Sequence, residues 1–428
     1  MIKQTLRQAL TMMKQHKLFT GIYITGTAVS IAIIMVLFII FYINFGNIYP
    51  EYHRGELLFL DSESHKIRRN DVNDIDWFNL DFAETLKNES KHMKAMAVYD
   101  FNTSKTNHPI TVDGNNIEVE ENVIFVSNGW WQVFDYKFVD GKGFTEKEMH
   151  ENVAVVSESL AMQLFASSKV AGREIKVNGE YHRIVGVVQD VTQCTPLSYG
   201  KIWLTIHSRF ASLNTFAIHN DEKNFQIYAL AHDGERETLQ QEIESIFSRY
   251  YQPDEEKTDY TLYIKNSWQK ALYLGKDDSI WDAIKIYFYI ILAVLFIPAL
   301  NLGGMISSRI KSRMVEVGVR RAYGATKLQI VSQVLLENML LTLLGAVAGL
   351  LLSYTIAYIF SYRITTFLNS NILYDSNAGN QLGAEMLLNP TIFLCALGIC
   401  TLLNIASALV PTLFALKKEI MQSLYQKR

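Results

Sequence analysis

The chain has 428 residues, of which 49% are apolar and 19% charged, and a net charge of −3; an ordinary globular chain carries ~25% charged residues. Four charge-free runs (Leu18 to Pro50, Ile286 to Ser308, Asn338 to Tyr362, Met386 to Leu416) account for the deficit, and each exceeds the ~20 apolar residues that cross a bilayer. A cytosolic enzyme is thereby excluded, as is a disulfide scaffold, because two of the three cysteines (Cys194, Cys395, Cys400) fall inside the last run.

The chain opens on a basic leader, residues 1–18. Ile2, Leu6, Leu10 and Met13 share one helical face, with Lys3, Arg7 and Lys14 elsewhere on the wheel. That pattern suits an amphipathic helix on the cytoplasmic membrane surface, the alternative being plain flanking charge. Residues 19–45 are the first predicted span. Signal-peptide apolar regions stop at 7–15 residues, so this longer run reads as a retained anchor.

Residues 46–282 form one long soluble insertion, large enough for its own core. The run Val153-Ala-Val-Val156 reads as a strand ending at Ser157, which can cap a helix through Leu160, Leu164 and Phe165. A hairpin is predicted over 173–188, because Asn178-Gly179 supplies the positive φ angles of a tight turn. Leu239, Ile243, Phe247 and Tyr250 mark one face of a helix over 235–250. Strand, helix and hairpin together indicate an α+β domain. Trp130, Trp131 and Phe134 read as core more than as a ligand platform. The insertion holds no H-E-x-x-H, C-x-x-C or G-x-S-x-G, its histidines lack metal-ligand spacing, and no basic aromatic track suits a nucleic acid. No catalytic residue, metal site or cofactor site is expected in this chain.

The remaining segments are predicted as a second span over 284–306, a cytoplasmic elbow over 307–329, a third span over 330–361, a short external loop over 362–388, a fourth span over 389–415 and a cytoplasmic tail over 416–428. Charge sets the orientation. The leader, the elbow and the tail carry 14 of the 40 basic residues but only 2 of the 43 acidic ones, so they face the cytoplasm by the positive-inside rule. The expected fold class is an α-helical membrane protein with four transmembrane helices and a large α+β extracytoplasmic domain inserted between spans 1 and 2.

The spans are poor in ionisable groups, which argues against an ion-coupled secondary transporter. Glu337 lies near the cytoplasmic end of the third span, and Asn301 and Asn404 read as hydrogen-bonding glue between helices. Gly345 and Gly349 make a G-x-x-x-G, which lets two helix backbones approach closely. A stand-alone sensor is also disfavoured, since no cytoplasmic piece is long enough to be an output domain.

The elbow carries the most specific information. Val315, Val319 and Ala322 share a helical face, Gly324 can end that helix, and Thr326 can cap the next, which runs on through Leu328, Ile330 and Val331. In this stretch Arg313, Glu316, Val317, Gly318, Val319, Arg321, Ala322, Gly324 and Ala325, followed by Glu337, resemble the cytoplasmic-loop pattern of the MacB/FtsX-like family of ABC-transporter permeases. The leader Lys14-Gln15-His16-Lys17-Leu18-Phe19 and the ending from Pro411 to Leu424 are similar to that family as well. So are residues 121–206, which resemble its inserted external subdomain through Gly141-Lys142-Gly143-Phe144-Thr145, Val155-Val156-Ser157-Glu158 and Val185-Gly186-Val187-Val188. Lys142 departs from the family's usual arginine.

The resemblance implies a role for the elbow, with Arg313, Glu316, Gly318, Arg320, Arg321, Gly324 and Ala325 coupling the chain to an ATPase. It implies a bacterial inner-membrane, multi-pass permease with both termini cytoplasmic. Its partners would be a second permease copy (homodimer or paralogue heterodimer), membrane lipid and an ABC ATPase that holds ATP and Mg. No G-x-x-x-x-G-K-[ST] occurs here, so the ATPase is expected on a separate chain. Export with a periplasmic adaptor and an outer-membrane channel is the leading expectation. Lipoprotein release and activation of a cell-wall hydrolase are the alternatives, and no nucleic acid is involved.

Overall fold

The computed structural model describes residues 17–67, 72–76, 78–100, 107–114, 117–192, 195, 197–208, 225–251, 258–271 and 326–359, with shorter pieces within 281–293, 319–324 and 393–405. The chain divides into two compact units. One comprises Met1–Phe41, Trp281–Ile364 and Leu382–Arg428, the other Tyr42–Ile280 and Thr365–Gln381. The leader, residues 1–16, lies outside the described residues.

The elements begin with helix α1 (Lys17–Phe45). Strands β1 (Leu57–Ile67) and β2 (Val72–Asp76), helix α2 (Leu80–Glu89) and strands β3 (Met93–Asp100), β4 (Asn107–Thr111) and β5 (Glu118–Val126) follow. After the single turn α3 (Trp130–Val133) come β6 (Phe138–Gly141), β7 (Val153–Ser157), α4 (Glu158–Phe165), β8 (Glu174–Val177), β9 (Glu180–Val188) and β10 (Ile202–Thr205). Strand β11 (Phe225–Ala231), α5 (Arg236–Tyr250), β12 (Thr258–Asn266), α6 (Ser267–Ala271) and α7 (Lys327–Ile359) complete the list.

Two sheet regions build the unit from Tyr42 to Ile280. In the first, β3, β11, β1 and β12 run antiparallel, and β2 pairs with the far half of β1. The amphipathic faces of α2 and α5 pack together beside it: Phe82 meets Phe247 edge-on at 5.7 Å, and Leu239, Ile243, Ile246 and Phe247 are buried. The expected helix over 235–250 is thus present, with Ile246 completing its apolar stripe.

In the second region the strands close on themselves. Strand β5 pairs with β4, β4 with β8, β8 with β9, β9 with β7, β7 with β10, and β10 returns to β5 in parallel. The ring interior is filled by Val123, Phe125, Ala154, Val156, Ile184, Val187, Ile202 and Leu204, with Leu160 and Leu164 of α4 added. The ring begins at Asn107, ahead of the resemblance that starts at residue 121, because β4 is the antiparallel partner of β5.

Alternate residues on the same strands, Ile124, Val126, Val153, Val155, Val185, Val188 and Trp203, belong to the other core, which the four-stranded sheet shares. Strands buried on both faces read as continuous apolar runs instead of alternating ones, and Val153-Ala-Val-Val-Ser157 is buried throughout. Ser157 caps α4, as its position after the strand predicts, accepting from the Leu160 amide at 3.4 Å. Asn178 and Gly179 take φ values of 51° and 86° at the β8–β9 turn. Trp130 and Phe134 are core residues: both are buried, with their rings tilted against one another at 4.6 Å.

In the other unit, among the described residues, two helices are long and apolar enough to cross a membrane, Thr20–Phe45 and Met339–Ala357. The second and fourth predicted spans fall largely outside the described residues.

Candidate functional site

The elbow is described at its C-terminal end. The Tyr323 amide donates to the Val319 carbonyl at 3.1 Å, and Gly324 follows at φ +89°. A left-handed residue at this place closes a helix, and glycine adopts it without a Cβ penalty. Thr326 then opens α7 with a reciprocal cap. Its hydroxyl accepts from the Gln329 amide at 3.3 Å, and its own amide donates to Gln329 Oε1 at 2.9 Å. Such an exchange satisfies two amide donors that a helix start leaves unpaired. The 33 residues of α7 run from this cap without a break into the apolar segment. Of the other residues proposed for coupling, Arg313, Glu316, Gly318, Arg320, Arg321 and Ala325 lie outside the described residues, as do Asn301 and Asn404.

Gly345 and Gly349 lie on the face of α7 that meets α1. A Cβ on Gly345 would stand 2.7 Å from Thr27 Cβ, and one on Gly349 2.8 Å from the Ala28 carbonyl and from Ile31 Cβ. The two backbones therefore approach as closely as glycine permits, which maximises dispersion contact where no hydrophobic drive separates helix from lipid. Thr27 and Ser30 of α1 keep their hydroxyls satisfied inside the contact by donating to the carbonyls of Tyr23 and Gly26. On the opposite side of α7, Leu343, Val347 and Leu351 are exposed.

One group of residues has no counterpart among the sequence expectations. Beyond α1 the chain bends, and Glu51 and Arg54 are both buried. Arg54 Nε and Nη2 lie 2.9 and 2.8 Å from Glu51 Oε2. Arg54 Nη1 donates to the carbonyls of Ile43 at 2.6 Å and Gly46 at 2.9 Å, the free carbonyls at the end of α1. Glu51 Oε1 accepts from both the amide and the hydroxyl of Ser198, at 3.1 and 2.7 Å. Beside them, Tyr49 accepts from the Lys137 amide and donates to the Gln189 carbonyl. Burial pushes its phenol up to about 12 against the opposing pull of the Lys137 bond. In the sequence these charges look like ordinary solvated residues after a span. The available signal was their i, i+3 spacing directly beyond the apolar run.

The external unit presents little chemistry. Among the described residues no group of three or more His, Cys, Asp or Glu side chains could hold a metal ion. Its perturbed groups are structural. Burial penalises the Glu242 carboxylate, but hydrogen bonds from the Lys91 and His92 amides and from Ser90 outweigh that and hold it at about 2.

Residues 20–246 match the MacB-like periplasmic core domain, and residues 288–420 match the FtsX-like permease C-terminal domain. The chain belongs to the MacB/FtsX-like family of ABC-transporter permeases. Members of this family are membrane proteins with a periplasmic domain, and this permease carries both of the family's parts. An ABC transporter permease of Bacillus subtilis, YknZ, is 22% identical over 63% of this chain and 65% of its own length. A macrolide export ATP-binding/permease protein, MacB, of Chromobacterium violaceum is 22% identical over 71% of this chain and 43% of its own. The present chain therefore spans less than two thirds of either relative. The crystal structure of the periplasmic region of MacB from Actinobacillus actinomycetemcomitans aligns with a TM-score of 0.38 and 15% identity, over 52% of this chain and 94% of that one.

Proposed function

We propose that this chain is the permease subunit of a MacB/FtsX-like ABC transporter. In this reading it spans a bacterial inner membrane four times with both termini cytoplasmic, and pairs with a second permease copy. A separate ABC ATPase binds ATP and Mg and drives a conformational change, which the permease passes to its periplasmic domain to export a substrate. The observation that carries the reading is the joint at Gly324–Thr326. A left-handed glycine and a reciprocally capped threonine set a fixed angle, and one unbroken helix leads from there into the span packed on α1. A push on the elbow is then delivered to α7 as a rigid displacement, because a capped helix start does not fray.

The shortage of ionisable groups along the spans favours mechanical transmission over a charged substrate path through the membrane. The curated relatives named for macrolide and pyoverdine export support efflux as the output, with an adaptor and an outer-membrane channel as the periplasmic partners.

The test is co-expression with a candidate ABC ATPase from the same organism, followed by purification of the complex with and without Glu316→Ala and Arg321→Ala together. A stable complex that the double substitution abolishes supports the coupling role of the elbow. Retention of the complex, with ATP hydrolysis unchanged, would overturn that role. Capture of a lipoprotein or a cell-wall hydrolase by the complex, in place of an adaptor, would replace efflux as the output.

A further inference from the structure

The bend after α1 should be a weak point. A helix that ends at Phe45 and continues through Gly46-Asn47 has a hinge at its end, and a displacement of α1 would dissipate there. Instead the bend is tied from three directions. Arg54 holds the two carbonyls at the end of α1, where a cation complements the negative end of the helix dipole. Glu51 reaches the amide and hydroxyl of Ser198, four residues before β10. The Arg54 carbonyl accepts from Ser267 Oγ at the start of α6, where Trp268 stacks on Phe45 at 4.3 Å. The outgoing chain, the segment leading into β10 and the returning chain therefore meet at Glu51 and Arg54.

A buried pair of this kind adds little net stability, because desolvation offsets the attraction; what it supplies is a fixed geometry, and losing one partner strands the other. The neighbouring contacts add to that geometry on the ring side. The Asp135 amide donates to the Pro50 carbonyl at 3.0 Å, Tyr49 bridges Lys137 and Gln189, and His53 pairs with Asp135 at 3.0 Å.

We propose that Glu51 and Arg54 form a clasp that delivers displacement of α1 to the closed ring through Ser198 and β10, in place of the adjacent strand β1. They are positioning residues, and their functional consequence rests on the transporter reading above; the geometry of the clasp does not.

The test uses the full chain in lipid nanodiscs, with its partner ATPase in a second arm. The variants are Arg54→Met, Arg54→Lys and Glu51→Gln, and the readout is amide hydrogen exchange. In Arg54→Met, exchange should rise tenfold or more in both 43–56 and 195–200, since removing the guanidinium leaves the buried Glu51 carboxylate without its counter-charge. In Arg54→Lys the charge remains but one ammonium cannot replace the fork, so 195–200 should stay near wild type while 43–47 exchanges faster. Glu51→Gln should loosen 195–200 more than 43–47. If 195–200 is unchanged in both Arg54→Met and Glu51→Gln, the clasp does not exist as described. In the second arm, Arg54→Met should leave ATP hydrolysis by the complex within twofold while the ATP-dependent change in amide exchange at β10 (202–205) falls tenfold or more. Equal loss of both, or of neither, would overturn the delivery route. Absence of any ATPase complex in wild type would instead strike the transporter reading, and the exchange pattern would still decide the clasp.

Discussion

Tyr136→Phe isolates one hydroxyl at the centre of the external unit. That hydroxyl accepts from Trp130 Nε1 at 3.1 Å and donates to the Ser198 carbonyl at 2.5 Å. Tyr136 is buried, and burial holds its phenol well above the ordinary tyrosine range, so it acts as a neutral donor at any physiological pH. Phenylalanine keeps the ring and its edge contacts with Trp131 at 5.3 Å and Trp203 at 5.3 Å, but leaves an indole N–H and a carbonyl without this partner. Each stranded buried group costs about 1–3 kcal/mol. Removing the hydroxyl's own desolvation offsets part of that, which leaves a net loss of about 3 kcal/mol. For a unit of 150–250 residues, 1 kcal/mol moves Tm by about 2–4 °C, so the expected drop is about 6–12 °C. The assay is thermal unfolding of the full chain followed by tryptophan emission, with the exposed Tyr323→Phe as a control that should not move. A drop below about 3 °C in Tyr136→Phe would refute the reasoning, because it would mean that both stranded groups find other partners at little cost.

Three further outcomes follow from contacts described above. Gly349→Val should lower Tm of the full chain by an amount corresponding to about 1–3 kcal/mol of overpacking, since the α1 backbone and Ile31 leave no room for a Cβ; an unchanged Tm would mean that the two helices separate freely. Glu242→Gln should cost about 1–2 kcal/mol at neutral pH after allowing for solvent screening. Because the folded carboxyl titrates at about 2 and the unfolded one at about 4.5, the difference from wild type should persist above pH 4.5 and fade as the pH drops toward 2. Burial holds the His182 imidazole below its ordinary pKa, so its contribution is full above pH 6.5 and is lost as the pH falls below that value. His182→Gln should therefore flatten the acid side of the pH–Tm curve, and an unaltered slope would place the titration elsewhere.

Local signals were legible in the sequence, and pairings across long separations were not. Asn178-Gly179, Ser157 before α4, and the Leu239–Ile243–Phe247 face each act within a few residues, so turn chemistry, capping and periodicity were enough to place them. The capped joint at Gly324 and Thr326 was legible for the same reason. The closed ring was not, because β5 and β10 are brought together by no local rule, and their parallel register is set by two cores competing for alternate side chains. Strand β1 was hidden by its composition: after Leu57-Leu-Phe-Leu60 it continues Asp-Ser-Glu-Ser, which looks like loop, yet it pairs with β2 and β12 as far as Ile67. Glu51 and Arg54 were hidden by chemistry, since a charged residue is read as solvated until its partner is known, and here the third partner, Ser198, lies 147 residues away.

The closed ring also fixes a timetable for synthesis. Strand β5 cannot complete its pairing until β10 has emerged, and β1 has no neighbour among the first-made strands except β2; it must wait for β11 and β12. At about 5–20 residues per second, α1 is finished on the order of ten seconds or more before its exit segment meets Ser198 and Ser267. During that interval the newborn external chain holds apolar strands with unpaired edges, the state most exposed to aggregation and proteolysis. Synonymous codon changes that slow elongation between residues 126 and 266 lengthen that interval and should cost yield without altering the finished protein.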